Sequence, residues 1–151
     1  MANRPVSIIV PNHNHLRTLK ACITSIFDTT KNDPDWELVV VDDGSTDGSL
    51  DYLKKLKGIH LIQQERKGTT AAINAGIAAS GENDIVRIHA DVILETPGWL
   101  GFFREAIDSN PKAGVIGAKI LRPDDTIQAI GRNIITGLGI RDWHANLQMN
   151  Q

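Results

Sequence analysis

The run Glu37-Leu-Val-Val-Val-Asp-Asp-Gly-Ser-Thr-Asp-Gly-Ser49 carries an apolar, β-branched stretch onto two adjacent carboxylates, Asp42 and Asp43. Such a stretch reads as a strand buried on both faces. The residues after it, Gly44 to Gly48 with Ser45, Thr46 and Asp47, have turn chemistry. Two acids at the end of a buried strand cost free energy unless something binds them, and a metal, a sugar hydroxyl or a base N–H would serve. Three further polar groups follow apolar runs in the same way: Pro11-Asn12-His13-Asn14, Gln64-Glu65-Arg66-Lys67 and His89-Ala90-Asp91. Acids, bases, amides and imidazoles together suit a ligand with phosphates, hydroxyls and a heterocycle. Neither a G-x-G-x-x-G after the first apolar run nor a G-x-x-x-x-G-K-[ST] is present. A phosphate would instead be neutralised by a divalent cation on a carboxylate, Mg²⁺ or Mn²⁺ on Asp91, helped by Arg66 or Lys67.

For these groups to meet, the chain must place four strand ends side by side, and its periodicity does so. Strand signals at Val6–Val10, Glu37–Val41, Ile59–Gln63, Asp84–Ile88 and Gly114–Ala118 alternate with helical ones. Asn14 is a candidate cap for a helix bearing Leu16, Leu19, Ile23, Ile26 and Phe27. Leu50, Leu53 and Leu56 mark a short helix. A small-residue helix runs from about Thr69 to Ser80, closed by Gly81. Pro97 suits the first turn of a helix with Leu100, Phe103 and Ile107. Alternating elements of this kind predict an α/β fold: a mostly parallel sheet flanked by helices, built from right-handed βαβ units. In such sheets ligands bind beyond the carboxyl ends of the strands. After about residue 118 the pattern changes. Ile120 to Ile127 reads as a hairpin with Asp124 and Asp125 in its turn, and the rest, with Trp143 and His144, is Gly-rich and irregular. One domain over 1–151 is expected, with a βα core over about 1–118.

The 151 residues hold 41% apolar side chains and a net charge of −2, which excludes a disordered chain and gives no footprint for nucleic acid. One cysteine, Cys22, precludes an internal disulfide and suits a reducing compartment. The start, Met-Ala-Asn-Arg-Pro, has no signal-peptide pattern, and no run approaches the ~20 apolar residues of a membrane span. The expected setting is cytoplasmic, with peripheral membrane contact left open. An open sheet edge leaves homo-oligomerisation open as well.

These residues resemble the family-2 glycosyltransferases, which have the A-type glycosyltransferase fold. The resemblance rests on Val6-Ser-Ile-Ile-Val-Pro-Asn-His-Asn14, Asp42 to Asp47, Ala71-Ala-Ile-Asn-Ala-Gly76, His89-Ala-Asp91 and Pro97-Gly-Trp-Leu100 in order. The stretch Val115 to Gln128 also looks like members that transfer rhamnose and similar sugars. The resemblance implies an inverting, metal-assisted transfer from a nucleotide-diphosphate sugar to a glycan, lipid-linked or other acceptor hydroxyl, as in polysaccharide biosynthesis. It implies that Pro11, Asn12, His13 and Asn14 belong to the nucleotide pocket, with His13 stacking on the base. Asp43 would accept a hydrogen bond from the base and Asp42 would support the loop. Arg66, Lys67, His89 and Ala90 would lie along the donor, and Asp91 would hold Mn²⁺ or Mg²⁺.

Two departures stand out. His89 occupies the first acidic position of the family's Asp-x-Asp motif. An inverting transfer also needs a general base, and no residue of this chain matches one. Asp124 and Asp125 are accounted for by turn chemistry. A non-catalytic nucleotide-sugar-binding module, or a remnant lacking its base, is therefore the alternative. A nucleotidyltransferase of similar architecture is disfavoured by the missing Gly-rich basic loop.

Overall fold

The computed structural model describes residues 5–129, 132–135 and 139–142. Two compact units divide the chain, Met1–Phe102 and Phe103–Gln151. In chain order the first unit contains β1 (Val6–Asn12), α1 (Leu16–Thr30), β2 (Trp36–Asp43), α2 (Ser49–Leu53), β3 (Ile59–Gln64), α3 (Thr69–Ala79) and β4 (Asp84–Arg87). The helix α4 (Trp99–Ser109) follows.

The strands form one parallel sheet in the order β3-β2-β1-β4. The register runs from Val6 opposite Trp36 to Asn12 opposite Asp42. Connections from β1 to β2 to β3 advance in one direction, and the next one returns across the sheet to β4. With right-handed crossovers, α1 and α2 therefore lie on one face and α3 on the other. The order reverses between β1 and β4, which makes the space beyond their C-terminal ends the switch point of the sheet.

The continuous apolar runs are explained by burial on both faces: Ile8, Ile9, Val10, Leu38, Val39, Val40 and Val41 are all 0% exposed. Each such side chain stabilises the fold by roughly 1.5–3 kcal/mol relative to exposure. On one face Ile9, Val39, Val41 and Ala72 form a core cluster joined by Ile62 and Ala75. The small residues of α3 permit this approach. A Cβ on Gly76 would come within 2.5 Å of Ile9 Cγ2, so only glycine fits there.

Several local expectations are revised. β1 does not stop at Pro11 but continues to Asn12. The backbone of Ile9 turns toward β4, where its carbonyl accepts from the Ile88 N–H at 3.0 Å. Pro11 turns to the same side, past the last pair of that ladder, Ile9 opposite Arg87. Its missing N–H therefore forfeits no ladder bond. Asn14 does not cap α1; it sits at φ 57, and the Leu16 N–H is received by Asp47 Oδ2 at 2.8 Å. Pro97 lies ahead of α4, in a turn where Gly98 N–H donates to the Thr29 carbonyl at 2.9 Å. Trp99 is a packing residue whose Nε1 donates to Thr29 Oγ1 at 3.1 Å.

In the second unit, β5 (Ile120–Leu121) and β6 (Ile127–Ala129) form the expected antiparallel hairpin. Asp124 Oδ1 accepts from the N–H and hydroxyl of Thr126, a turn role. A second antiparallel pair joins β7 (Arg132–Ile135) to β8 (Gly139–Asp142). No strand forms over 114–118, where Val115 is 89% exposed. An apolar β-branched segment becomes a strand only where it has a ladder partner and a covered face, and this one has neither among the described residues. Trp143, His144 and the tail from Asn146 to Gln151 lie outside the described residues. No helix of the described residues is long and apolar enough to cross a membrane.

Candidate functional site

At the switch point lies a cleft of about 100 Å³ lined by Pro11, Asn12, His13, His15, Asp43, Thr69, Ala72, His89, Ala90 and Asp91. The loops after β1 and β4, the end of β2 and the start of α3 thus meet around one space. Asp43 and Asp91, 48 residues apart in sequence, share its wall.

The loops after β1 and β2 are tied to each other. Asn12 Nδ2 donates to Asp42 Oδ1 and to Ser45 Oγ, both at 3.0 Å. Asp42 Oδ2 receives the Ser45 N–H at 3.0 Å. The Asn14 N–H donates to Ser45 Oγ at 3.0 Å, and Asn14 Oδ1 accepts from the Thr46 N–H at 2.7 Å. Asp47 completes the network: besides Leu16, it receives the Ser49 N–H at 3.0 Å and the Ser49 hydroxyl at 2.5 Å. One carboxylate thus caps α1 and α2 together. Burial raises the Asp47 carboxyl, but the bonds from the Ser49 hydroxyl and the Leu16 N–H outweigh it and hold the group below the ordinary aspartate range.

Asp43 is 3% exposed. Its Oδ1 accepts from Gln64 Nε2 at 2.6 Å and from the Lys67 N–H at 2.8 Å, and its Oδ2 accepts from the Gly68 N–H at 2.9 Å. Burial pushes this carboxyl up, but the bonds from Lys67, Gln64 and Gly68 outweigh it, so its pKa is lowered. Asp43 therefore fixes the loop before α3, using three of its four acceptor positions on protein. Gly44 allows the loops to close: it has φ 70, and a Cβ there would lie 2.9 Å from the Arg66 backbone nitrogen.

The His13 ring is set by its partners. Nδ1 lies 2.8 Å from the Asp43 carbonyl oxygen, which only accepts, so Nδ1 carries the hydrogen. Asn14 Nδ2 donates to Nε2 at 3.3 Å. With both nitrogens engaged along its edge, the ring has its face left for contact with a planar group. On β4, Arg87 pairs with His89 Nε2. The His89 carbonyl accepts from the Cys22 thiol at 3.5 Å. Cys22 itself is 0% exposed, and burial, with the Asp91 charge second, pushes its thiol up to about 12.

Of the residues singled out from sequence, Pro11, Asn12, His13, Asp43, His89, Ala90 and Asp91 line the cleft. Asn14 and Asp42 brace it from behind. Arg66 and Lys67 are not in its wall; Lys67 contributes its backbone N–H to Asp43. Three lining residues were not anticipated: His15, Thr69 and Ala72. Thr69 and Ala72 are one helical turn apart on α3, a spacing that would have placed them together once α3 was set against β1. Among the described residues no group of three His, Cys, Asp or Glu could hold a metal on its own.

The profile of glycosyl transferase family 2 matches residues 7–146 of this sequence. The chain belongs to glycosyl transferase family 2. This family-2 chain is 37% identical, over 116 residues, to an uncharacterized glycosyltransferase of Nostoc (alr2836), covering 74% of this chain and 35% of the relative. It is 32% identical over 148 residues to the uncharacterized protein y4gI of Sinorhizobium fredii, covering 94% of this chain and 16% of that protein. Its fold matches the mannosyltransferase PcManGT from Pyrobaculum calidifontis, solved with GDP-Man and Mn²⁺, at a TM-score of 0.67 and 23% identity, over 82% of this chain and 38% of that one. At that identity the likeness establishes the A-type glycosyltransferase fold. The family-2 chain thus spans about a third or less of the curated relatives named here.

Proposed function

We propose that this chain binds a nucleotide-diphosphate sugar in the cleft at the β1–β4 switch point and serves its transfer to an acceptor hydroxyl. The observation that carries the reading is the convergence of Asp43, His13 and Asp91 on one cleft in a family-2 glycosyl transferase. Pro11 and the face of His13 form the floor on which the base lies, and the last acceptor position of Asp43 is turned to its edge. The acceptor hydroxyl attacks the anomeric carbon from the side opposite the diphosphate, which inverts that centre. No residue of the described cleft is assigned as the general base.

A divalent cation, Mn²⁺ or Mg²⁺, fits this site on its donor chemistry. Asp91 is an exposed carboxylate in the cleft wall, and hard cations favour such oxygens together with those of phosphates and water. When bound, the ion would neutralise charge on the diphosphate leaving group. Asp91 would be the residue that holds it, and His89 Nε2 pairs with Arg87. The Arg87–His89 pair, where the family has an acid, favours a second reading: donor binding without turnover.

Calorimetric titration of the chain with UDP, GDP and dTDP, with and without Mn²⁺, tests the proposal. One of the three should bind, and Asp91→Ala should remove the Mn²⁺-dependent part of its affinity. A folded sample that binds none of them overturns the reading. Release of free sugar or a transfer product from the matching donor separates the enzyme from the binding module.

A further inference from the structure

His15 stands in the wall of the cleft that Thr69, His89 and Asp91 also line, although nothing in its sequence context marks it. It sits directly ahead of α1, yet it is not needed as a cap: its side chain makes no capping bond, and Asp47 already receives the first helical N–H. The other two imidazoles of the cleft are tied. His13 is held through both nitrogens by the Asp43 carbonyl and the Asn14 amide, and His89 is engaged by Arg87. Arg66 and Lys67, the cations the sequence offers for phosphate, lie outside the wall. An anion entering the cleft thus meets one imidazole with an uncommitted ring, placed at the positive end of a fifteen-residue helix. Asn12, also of this wall, is 2% exposed; its Nδ2 is spent on Asp42 and Ser45, so it has no donor left for an anion.

We propose that His15 is a phosphate-contacting residue of this site, its ring N–H donating to an oxygen of the nucleoside diphosphate. The proposal rests on the nucleotide-sugar reading above and adds which side chain holds the leaving group. His15 recognises the phosphates and not the base, so it separates ligands that differ only in phosphate.

The test compares the full chain and its His15→Ala variant in titrations with UDP, GDP and dTDP in Mn²⁺, and with uridine, guanosine and thymidine. For whichever diphosphate binds the unmodified chain, His15→Ala should weaken affinity roughly ten-fold or more, the worth of a charge-assisted hydrogen bond. Affinity for the matching nucleoside should change less than about two-fold on the same scale. As a second readout on the unmodified chain, the His15 ring nitrogens should shift in NMR with the diphosphate and stay in place with the nucleoside. Equal diphosphate affinity in both proteins, or equal losses for diphosphate and nucleoside, overturns the assignment while leaving the nucleotide reading intact. If the unmodified chain binds no nucleotide, both fall.

Discussion

Asp43→Asn is nearly isosteric and tests whether this carboxylate is first a structural acceptor. Three donors converge on it: Gln64 Nε2 and the Lys67 N–H on Oδ1, and the Gly68 N–H on Oδ2. An asparagine has one acceptor oxygen. Set at the Oδ1 position, it keeps two bonds and turns an NH₂ toward the Gly68 N–H, donor against donor. In the flipped rotamer it keeps one bond and loses two. Leaving one buried N–H unpaired costs about 1–3 kcal/mol, and the surviving bonds lose their charge assistance. Because Lys67 and Gly68 are exposed residues, water recovers part of this, and the expected destabilisation is about 2–3 kcal/mol. The pH dependence gives a second check. The folded-state pKa of Asp43 is lowered, so its contribution is fully present above the unfolded value of about 3.9 and is lost as pH falls through the folded value. Urea denaturation of both proteins at pH 7 and at steps below pH 4 should show a wide gap in stability that narrows with acid. A gap under about 0.5 kcal/mol at pH 7, the scale of an ordinary surface change, would refute the claim that Asp43 holds the loop before α3.

Gly76→Ala should lower the melting temperature, although alanine is the better helix former. The new methyl would meet Ile9 Cγ2 at 2.5 Å in a fully packed layer, at a cost of about 1–3 kcal/mol against a propensity gain of no more than about 1; thermal unfolding followed by circular dichroism reads the net sign. Cys22 is buried with its thiol pushed up to about 12, so the thiolate is scarce at pH 8. A thiol-reactive disulfide reagent should leave the native chain unlabelled for hours and label it fully in denaturant, and prompt native labelling would show that α1 opens at that point.

Periodicity made the βα core readable, because burial on both faces leaves β1 and β2 as unbroken apolar runs whose ends fall where polar residues begin. The cleft was readable for the same reason: a parallel sheet gathers its strand ends on one edge, so Asp43 and Asp91 could be placed together from sequence. What stayed hidden depended on contacts between loops distant in sequence. Asn14 resembles a helix cap locally, but the donor at Leu16 is met by Asp47 from the loop after β2. Arg66 and Lys67 carry the charge expected of phosphate ligands, yet it is a Lys67 backbone N–H that the fold uses, on Asp43. The segment Gly114–Ala118 shows that β propensity cannot announce whether a partner edge exists. His15 had no local signal, since an exposed histidine after a turn is ordinary and only the arrangement around it gives it meaning.

The lacing of Asn12, Asn14, Asp42, Ser45 and Asp47 has a consequence for recognition. Two walls of the cleft are set at the time of folding, so a guest loses little of its affinity to immobilising them. The β4 wall, His89 to Asp91, is outside that lattice and touches α1 where the Cys22 thiol donates to the His89 carbonyl. On the proposed reading, divergence among related chains on that side would alter which sugar or which charge is tolerated, while the laced side would keep the nucleotide end of the ligand in a constant seat.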